Sequence, residues 1–226
     1  YGFGTIAPLD YIDGIYYNFN EDDAEVTFRD ENYNSYSGEV VIPATVTSVW
    51  GRTYTVAGIG EYAFKGSRNM STVTIPGSVK SIGIAAFDGC SGLSSIALPE
   101  NVSNIGNVAF RNCSGLSSVV IPNNVTTINV GTFYRCASLA SITIPSGIEY
   151  ISNFAFQECK SLADVYCLSE SVPKTNSTAF DNTPIKSATL HTPNKSIHLY
   201  KSASLWGDFG NYAGLYGSAH TLSYTI

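Results

Sequence analysis

From residue 59 to residue 165 one apolar pattern returns every 23 residues. Segments beginning at Ile59, Ile82, Ile105, Ile128 and Ile151 set Phe64, Phe87, Phe110, Phe133 and Phe156 in a single column. The register does not slip. Each segment adds Met70, Leu93, Leu116, Leu139 or Leu162, followed by Val73, Ile96, Val119, Ile142 or Val165. A coil this short cannot bury its own apolar face, so it must stack on a neighbour that repeats the pattern. The period therefore implies a repeat solenoid, a single elongated domain that grows by stacking and needs modified ends.

Within one repeat, Leu93-Ser94-Ser95-Ile96-Ala97-Leu98-Pro99 has the L-x-x-L-x-L spacing of a leucine-rich repeat. Strand alternation turns Leu93, Ile96 and Leu98 inward and Ser95 and Ala97 outward. Pro99 has no amide hydrogen and stops the strand. Val102 and Ile105 read as a second short extended piece, and Ala109-Phe110 through Cys113 as a helical or 3-10 turn. The fold expected is a right-handed leucine-rich-repeat β/α solenoid, mostly β with short helical or 3-10 turns.

Residues 1–58 do not keep the period. Asp13-Gly14 suits a tight hairpin turn, and the alternating runs Ile15, Tyr17, Phe19 and Ala24, Val26, Phe28 should pair across the polar tip Asn20-Glu21-Asp22-Asp23. Val41-Ile42-Pro43 with Val46 is a degenerate first repeat, and residues 50–56 insert a small hairpin after it. The end of a stack exposes apolar side chains and unpaired strand edges, so residues 1–58 are an N-terminal cap over the regular repeats 59–166. Residues 167–226 are a degenerate last repeat and a C-terminal cap. There residues 176–180 give one more Ala-Phe phrase and Thr189 to Pro193 one more strand, and Asn194 or Ser196 can cap a helix carrying Ile197, Tyr200, Ala203 and Trp206. Residues 221–226 can add a final strand.

Composition narrows the function classes. The net charge of -6 and the lack of a basic stripe argue against nucleic acid, whose phosphates need clustered Lys and Arg. No apolar run approaches a membrane span, and no charged-then-apolar signal opens the chain. Only 13% of residues are charged, which leaves a surface rich in Ser, Thr, Asn, Gly and Tyr, as suits an exported protein. Cys90, Cys113, Cys136 and Cys159 share one column in which the first repeat has Ser67, and Cys167 falls in an inward column. Their spacing is not that of a zinc site, and buried free thiols are expected. The acidic tip at 20–23 lacks the spacing of a calcium loop. His191, His198 and His220 stand in the C-terminal cap with no metal spacing, and no nucleophile, base and orienting group come together. No cofactor or metal is expected, and an enzyme is not. The Asn-x-Ser/Thr triplets at Asn101, Asn112 and Asn124 fall in repeat turns, which Asn and Ser favour.

These residues resemble a known family. The phrase SVKSIGIAAFDGCSGLSSIALPENVSNIGNVAFRNCSGLSSVVIP is similar to the 23-residue leucine-rich repeats of the BspA type, also called Treponema-type, of surface proteins from Bacteroides and related anaerobes. YIDGIYYNFN, YSGEVVIP and YTVAGIGEYAF resemble the N-terminal part of such proteins, and LHTPNKSIHLYKSASLWGDF their C-terminal cap. The resemblance covers almost the whole chain and carries no catalytic residue. It implies export, often through a lipid anchor outside this chain, and adhesion or binding at the bacterial cell surface.

A binding function draws attention to the outward strand columns. Thr72, Ser95, Ser118, Ser141 and Asp164 form one, and Thr74, Ala97, Val120, Thr143 and Tyr166 form the next. Such residues also suit an exposed strand for packing alone. A third variable column follows the Phe: Lys65, Asp88, Arg111, Tyr134 and Gln157. Three readings follow. In the leading one, a monomeric module binds a host extracellular or bacterial surface protein through Thr72, Thr74, Ser95, Ser118, Val120, Ser141, Thr143, Asp164 and Tyr166. In the second it captures glycan, with Tyr134, Tyr150 and Tyr166 as aromatic contacts. The third is an inert spacer.

Overall fold

A computed structural model describes residues 10–30, 33 and 35–216. The chain opens with β1 (Asp10–Ile12), β2 (Ile15–Phe19) and β3 (Asp23–Thr27), which pair antiparallel in sequence. Asp13 and Gly14 both take positive φ, 48° and 86°, as the two-residue turn requires. Next come β4 (Gly38–Val41), β5 (Thr45–Thr47) and β6 (Thr53–Ile59), with β5 and β6 forming the expected small hairpin. β3 lies parallel to β6, so the opening strands extend one sheet of the stack and cover its end.

The coils then alternate a longer and a shorter strand. They give β7 (Met70–Thr74), β8 (Ser81–Ile82), β9 (Asn104–Ile105), β10 (Ser118–Val120), β11 (Thr127–Ile128), β12 (Ser141–Ile144), β13 (Tyr150–Ile151), β14 (Asp164–Cys167), β15 (Lys174–Thr175) and β16 (Thr189–Pro193). Helix α1 (Ile197–Ser202), a 3-10 turn at Trp206–Asp208 and β17 (Asn211–Leu215) follow. The longer strands of the coils form the parallel sheet β10-β12-β14-β16-β17 and the separate pair β4-β7, and the shorter ones form a second set, β8 and β9 continuing from the end of β6, and β11-β13-β15. Residues 221–226 lie outside the described residues.

Six phenylalanines stack along the axis, with ring centroids 4.9, 5.1, 5.5, 5.6 and 5.1 Å apart from Phe64 to Phe180 and planes within 15° of parallel. Tyr36 closes this column at one end, 4.7 Å from Phe64, and Trp206 and Phe209 close it edge-on against Phe180 at the other. Both closures bury the apolar face that a stack would otherwise present to water.

The arc around each Phe has 3-10-type geometry with an addition. Ala63, Lys65 and Ser67 donate to carbonyls three residues back, while the intervening Tyr62, Phe64 and Gly66 donate to Ile84, Ala86 and Asp88 of the next coil at 2.7–2.9 Å. Two backbone columns turn left-handed to allow it: Tyr62, Ala85, Val108, Gly131 and Phe154, and four residues later Gly66, Gly89, Asn112, Arg135 and Glu158. From Tyr62 to Ser67 every amide thus finds a partner within its own coil or the next.

Glycine sets the closeness of the coils. A Cβ on Gly106 would lie 2.6 Å from Ile84 N, and one on Gly83 2.6 Å from Glu61 N. In this column the next residues are Asn129 and Ser152, and there the Phe spacing widens from 5.1 to 5.5 and 5.6 Å. The sheet of short strands breaks at the same step, between β9 and β11, where Asn129 Nδ2 donates to Ile105 O at 2.6 Å.

Three local expectations need correction. The stretch 93–99 does not form a hydrogen-bonded strand. One inter-coil bond of the ladder remains, from Ser117 N to Ser94 O at 3.1 Å, and the Ser117 hydroxyl donates to the same carbonyl at 3.1 Å. Neither Asn194 nor Ser196 caps α1 through its side chain; Ser196 Oγ donates to Glu170 O at 2.8 Å. Trp206 lies beyond α1 in the 3-10 turn, where its indole donates to Thr175 Oγ1 at 3.0 Å.

The five cysteines are free and buried. Each ladder thiol reaches a Phe carbonyl of the coil before: Cys90 to Phe64, Cys113 to Phe87, Cys136 to Phe110 and Cys159 to Phe133, at 3.0–3.2 Å. Thr183 takes over this place in the last coil, its hydroxyl donating to Phe156 O at 2.6 Å. The column thus asks for a small buried donor rather than for thiol chemistry. Burial pushes Cys90 and Cys159 up to about 12 and Cys113 and Cys136 well above the ordinary thiol value, so none is a ready nucleophile.

Candidate functional site

The sheet of longer strands carries the residues that the sequence singles out. Register sets Ser118, Ser141 and Asp164 side by side, and Val120, Thr143 and Tyr166 beside them. The same ladder continues through Thr189 and His191 of β16 to Asn211 and Ala213 of β17. Two outward columns therefore run the length of the sheet, and their character changes along it.

Toward the N-terminal end the face is small and open. Thr72, Thr74, Ser95, Ser118 and Val120 are exposed, Val120 by 47%. Ser95 keeps its outward position although its stretch makes no ladder. Thr143 departs from the expectation: it has outward strand parity yet is only 7% exposed. It stands in register between Val120 and Tyr166, two larger side chains that flank it on neighbouring strands.

Toward the C-terminal end three side chains form a cluster. The Tyr166 and His191 rings, in register on β14 and β16, stack with centroids 4.1 Å apart and planes 12° from parallel. His191 Nε2 lies 2.7 Å from Asp164 Oδ1, reaching diagonally to the residue two positions before Tyr166. The Asp164 side chain is 41% exposed and that of His191 17%. An imidazole fixed by a carboxylate on one edge and a phenol ring on one face is a rigid platform with a polar margin. It offers stacking surface, hydrogen-bond capacity and negative charge within one small area.

The sequence marks His191 only as a histidine of the C-terminal cap, not as a contact residue. The signal was present, because strand alternation in Thr189-Leu190-His191 sends Leu190 inward and His191 into the column of Tyr166. The insertions after residue 165 hide it, since His191 falls 25 residues after Tyr166 rather than 23.

Tyr150 does not belong to this face. It lies on β13 in the sheet of short strands, between Thr127 and Lys174 in register, and is 38% exposed. Tyr134 sits on the Phe arc, where the Arg135 guanidinium lies 4.9 Å from its ring. The three tyrosines suggested for glycan thus stand on three different columns of the coil and do not make one patch.

The variable column after the Phe has a structural use in its first members. Lys65 Nζ lies over the Tyr33 and Tyr62 rings at 4.3 and 5.0 Å. Asp88 is 5% exposed and receives Arg111 in a two-pronged pair, Nε to Oδ1 at 2.9 Å and a second nitrogen to Oδ2 at 2.6 Å, with Asn112 Nδ2 at 3.2 Å. These contacts join neighbouring coils. The Asn side chains of the turns do likewise, Asn101 donating to Gly77 O at 2.6 Å and Asn124 to Glu100 O at 2.7 Å.

Among the described residues no group of three or more His, Cys, Asp or Glu is placed to hold a metal ion. Among them, too, no helix is long and apolar enough to cross a membrane.

A family model of the BspA type leucine rich repeat region, in six copies, matches residues 57–186. Among solved structures, the chain is similar to a leucine rich repeat protein of Treponema pallidum, with 30% identity and a TM-score of 0.60 over 68% of this chain and 69% of that one. It shares its fold with a leucine-rich repeat protein from Eubacterium ventriosum, with 24% identity and a TM-score of 0.55 over 75% of this chain and 50% of that one. No curated protein matches the chain.

Proposed function

The chain belongs to the BspA-type leucine-rich repeat family, and from that premise we propose that it is a non-catalytic binding module that works outside the bacterial cell, secreted or held at its surface. Its ligand is a protein, either of host extracellular material or of another bacterial surface. The contact is the face of the longer strands. The observation that carries this reading is the composite face itself, an open strip from Thr72 to Val120 that leads to the fixed Asp164, Tyr166 and His191 cluster. Flat strips of small hydroxyl residues leave room for a partner's backbone, and aromatic anchors supply a large share of interface energy. The contacts of His191 orient it for recognition and give it no nucleophile to activate.

Capture from host extracellular material and from bacterial surface extracts tests this. Tyr166→Ala and His191→Ala should each weaken capture by about tenfold or more while leaving the fold intact. Undiminished capture by both folded variants moves the site off this face. The Tyr166–His191 stack beside a carboxylate also favours a second reading, recognition of a glycan. Binding on a glycan array that is lost in Tyr166→Ala and kept in Tyr150→Ala would select it, because the two tyrosines stand on opposite sheets.

A further inference from the structure

The charge of this chain is not spread evenly. Residues 1–58 hold nine of the 18 carboxylates against Arg29 and Arg52, a net of -7, whereas residues 59–226 hold the other nine against ten Lys and Arg, a net of +1. The repeats are close to neutral and the N-terminal cap carries the negative charge. Arg29 pairs with Asp30 and Arg52 with Asp22, and Asp13 and Glu39 are among the carboxylates left without a cation among the described residues.

The same cap shows the most exposed apolar side chains of the described N-terminal half. Trp50 is 87% exposed, Val49 67%, Tyr11 60% and Val41 58%, while those of the repeats stay below 50%. The Val49 amide donates to Asp10 Oδ2 at 3.3 Å, which holds the tip of the β5–β6 hairpin beside β1 and Tyr11. Next to them a groove of about 420 Å³ opens between Ile12, Asp13 and Tyr17 on one side and Val41, Pro43 and Thr47 on the other. Ser48 Oγ, in the segment that joins groove to tip, is buried with no hydrogen-bond partner among the described residues.

A third feature adjoins the groove. β4 pairs only with β7 among the described residues, so its other edge takes no strand. Gly38 N and Ile42 N donate toward the β7 side, and strand alternation turns the amides of Glu39 and Val41 the opposite way. The hairpins of the cap extend the sheet of short strands, and among the described residues none of them pairs with this edge of the longer-strand sheet. A free edge is a template for an added strand, and an acidic rim selects what is added.

We propose that the N-terminal cap is a second docking surface, which takes an extended polypeptide segment bearing lysine or arginine. The segment pairs with the free edge of β4, sets an apolar side chain into the groove beside Val41 and Tyr17, and brings its cations to Asp13 and Glu39. This surface is separate from the Asp164, Tyr166 and His191 cluster, and its test does not depend on that site.

The probe is a short peptide of alternating lysine and valine, set against a glutamate–valine counterpart, with affinity for the whole chain read by fluorescence anisotropy. The basic peptide should bind, more weakly as salt is raised, and the acidic one should not. Val41→Pro removes one outward amide at a position where an edge strand tolerates proline, and should weaken binding about tenfold. Asp13→Asn with Glu39→Gln should do the same, and asparagine suits the positive φ of position 13. Ser118→Lys should change nothing. The proposal is overturned if the acidic peptide binds equally, if the basic peptide fails to bind, or if the folded charge variant binds like the parent chain.

Discussion

The Phe column and the outward strand columns run through the same coils and obey opposite rules. Along the inner column the residue is Phe in every coil from Phe64 to Phe180, and each ring is at most 3% exposed. Along the outer columns it changes from Thr to Ser to Asp, and from Thr through Val to Tyr and His. A stacked core leaves one shape that fits, since each ring must meet two neighbours at about 5 Å. An outward position is not held between two rings in this way, so its residue can change from coil to coil without emptying the core.

The sharpest way to break the contrast is to strike the inner column. Phe110→Ala empties a site between two stacked rings and should cost about 3 to 5 kcal/mol in urea unfolding. A loss below about 1 kcal/mol would mean that the stack does not hold the coils together. Next in size is the glycine column. Gly106→Ala places a Cβ against Ile84 N and should cost about 1 to 3 kcal/mol, whereas Asn129→Ala, in the same column one coil later, adds no atom and should cost only the hydrogen bond to Ile105 O, about 1 kcal/mol.

The cysteine ladder sharpens the contrast through pH. Burial raises the folded-state thiols, with Cys90 and Cys159 at about 12 and Cys167 at about 11, above their ordinary value of 9.0. The folded chain therefore holds these protons more tightly than the unfolded one. Their contribution is fully present below about pH 9 and is lost as pH rises through 11 to 12. Urea midpoints should hold from pH 7 to 9 and fall above it, and a thiol reagent should label the chain only as it unfolds. Rapid labelling of the native chain at pH 8 would contradict the burial of the ladder.

Much of this was legible in the sequence because a period reports on stacking directly. The Ile, Phe and Leu columns, the hairpins of the N-terminal cap and the buried thiols follow from apolar spacing and turn chemistry. The left-handed columns were not legible. Ala85, Val108 and Phe154 share a backbone conformation that only Gly131 in their column advertises, because the stack imposes it against local preference. The missing strand at 93–99 was not legible either, because this stretch carries the same apolar spacing as the repeats whose strands pair. Of the candidate site, direction was readable and neighbourhood was not. Asp164 and Tyr166 were placed outward, but His191 joins them through an insertion that shifts the register, and Thr143 is covered by what flanks it.

The central claim is that the inner columns make the fold and the outer columns make the contact. The most direct test measures both properties on one variant, Ser118→Lys with Ser141→Lys, using a captured protein partner as the binding probe. Unfolding free energy should stay within about 0.5 kcal/mol of the parent chain, since both positions face outward. Affinity for the partner should fall by about tenfold or more. Unchanged affinity in a variant of unchanged stability would contradict the account.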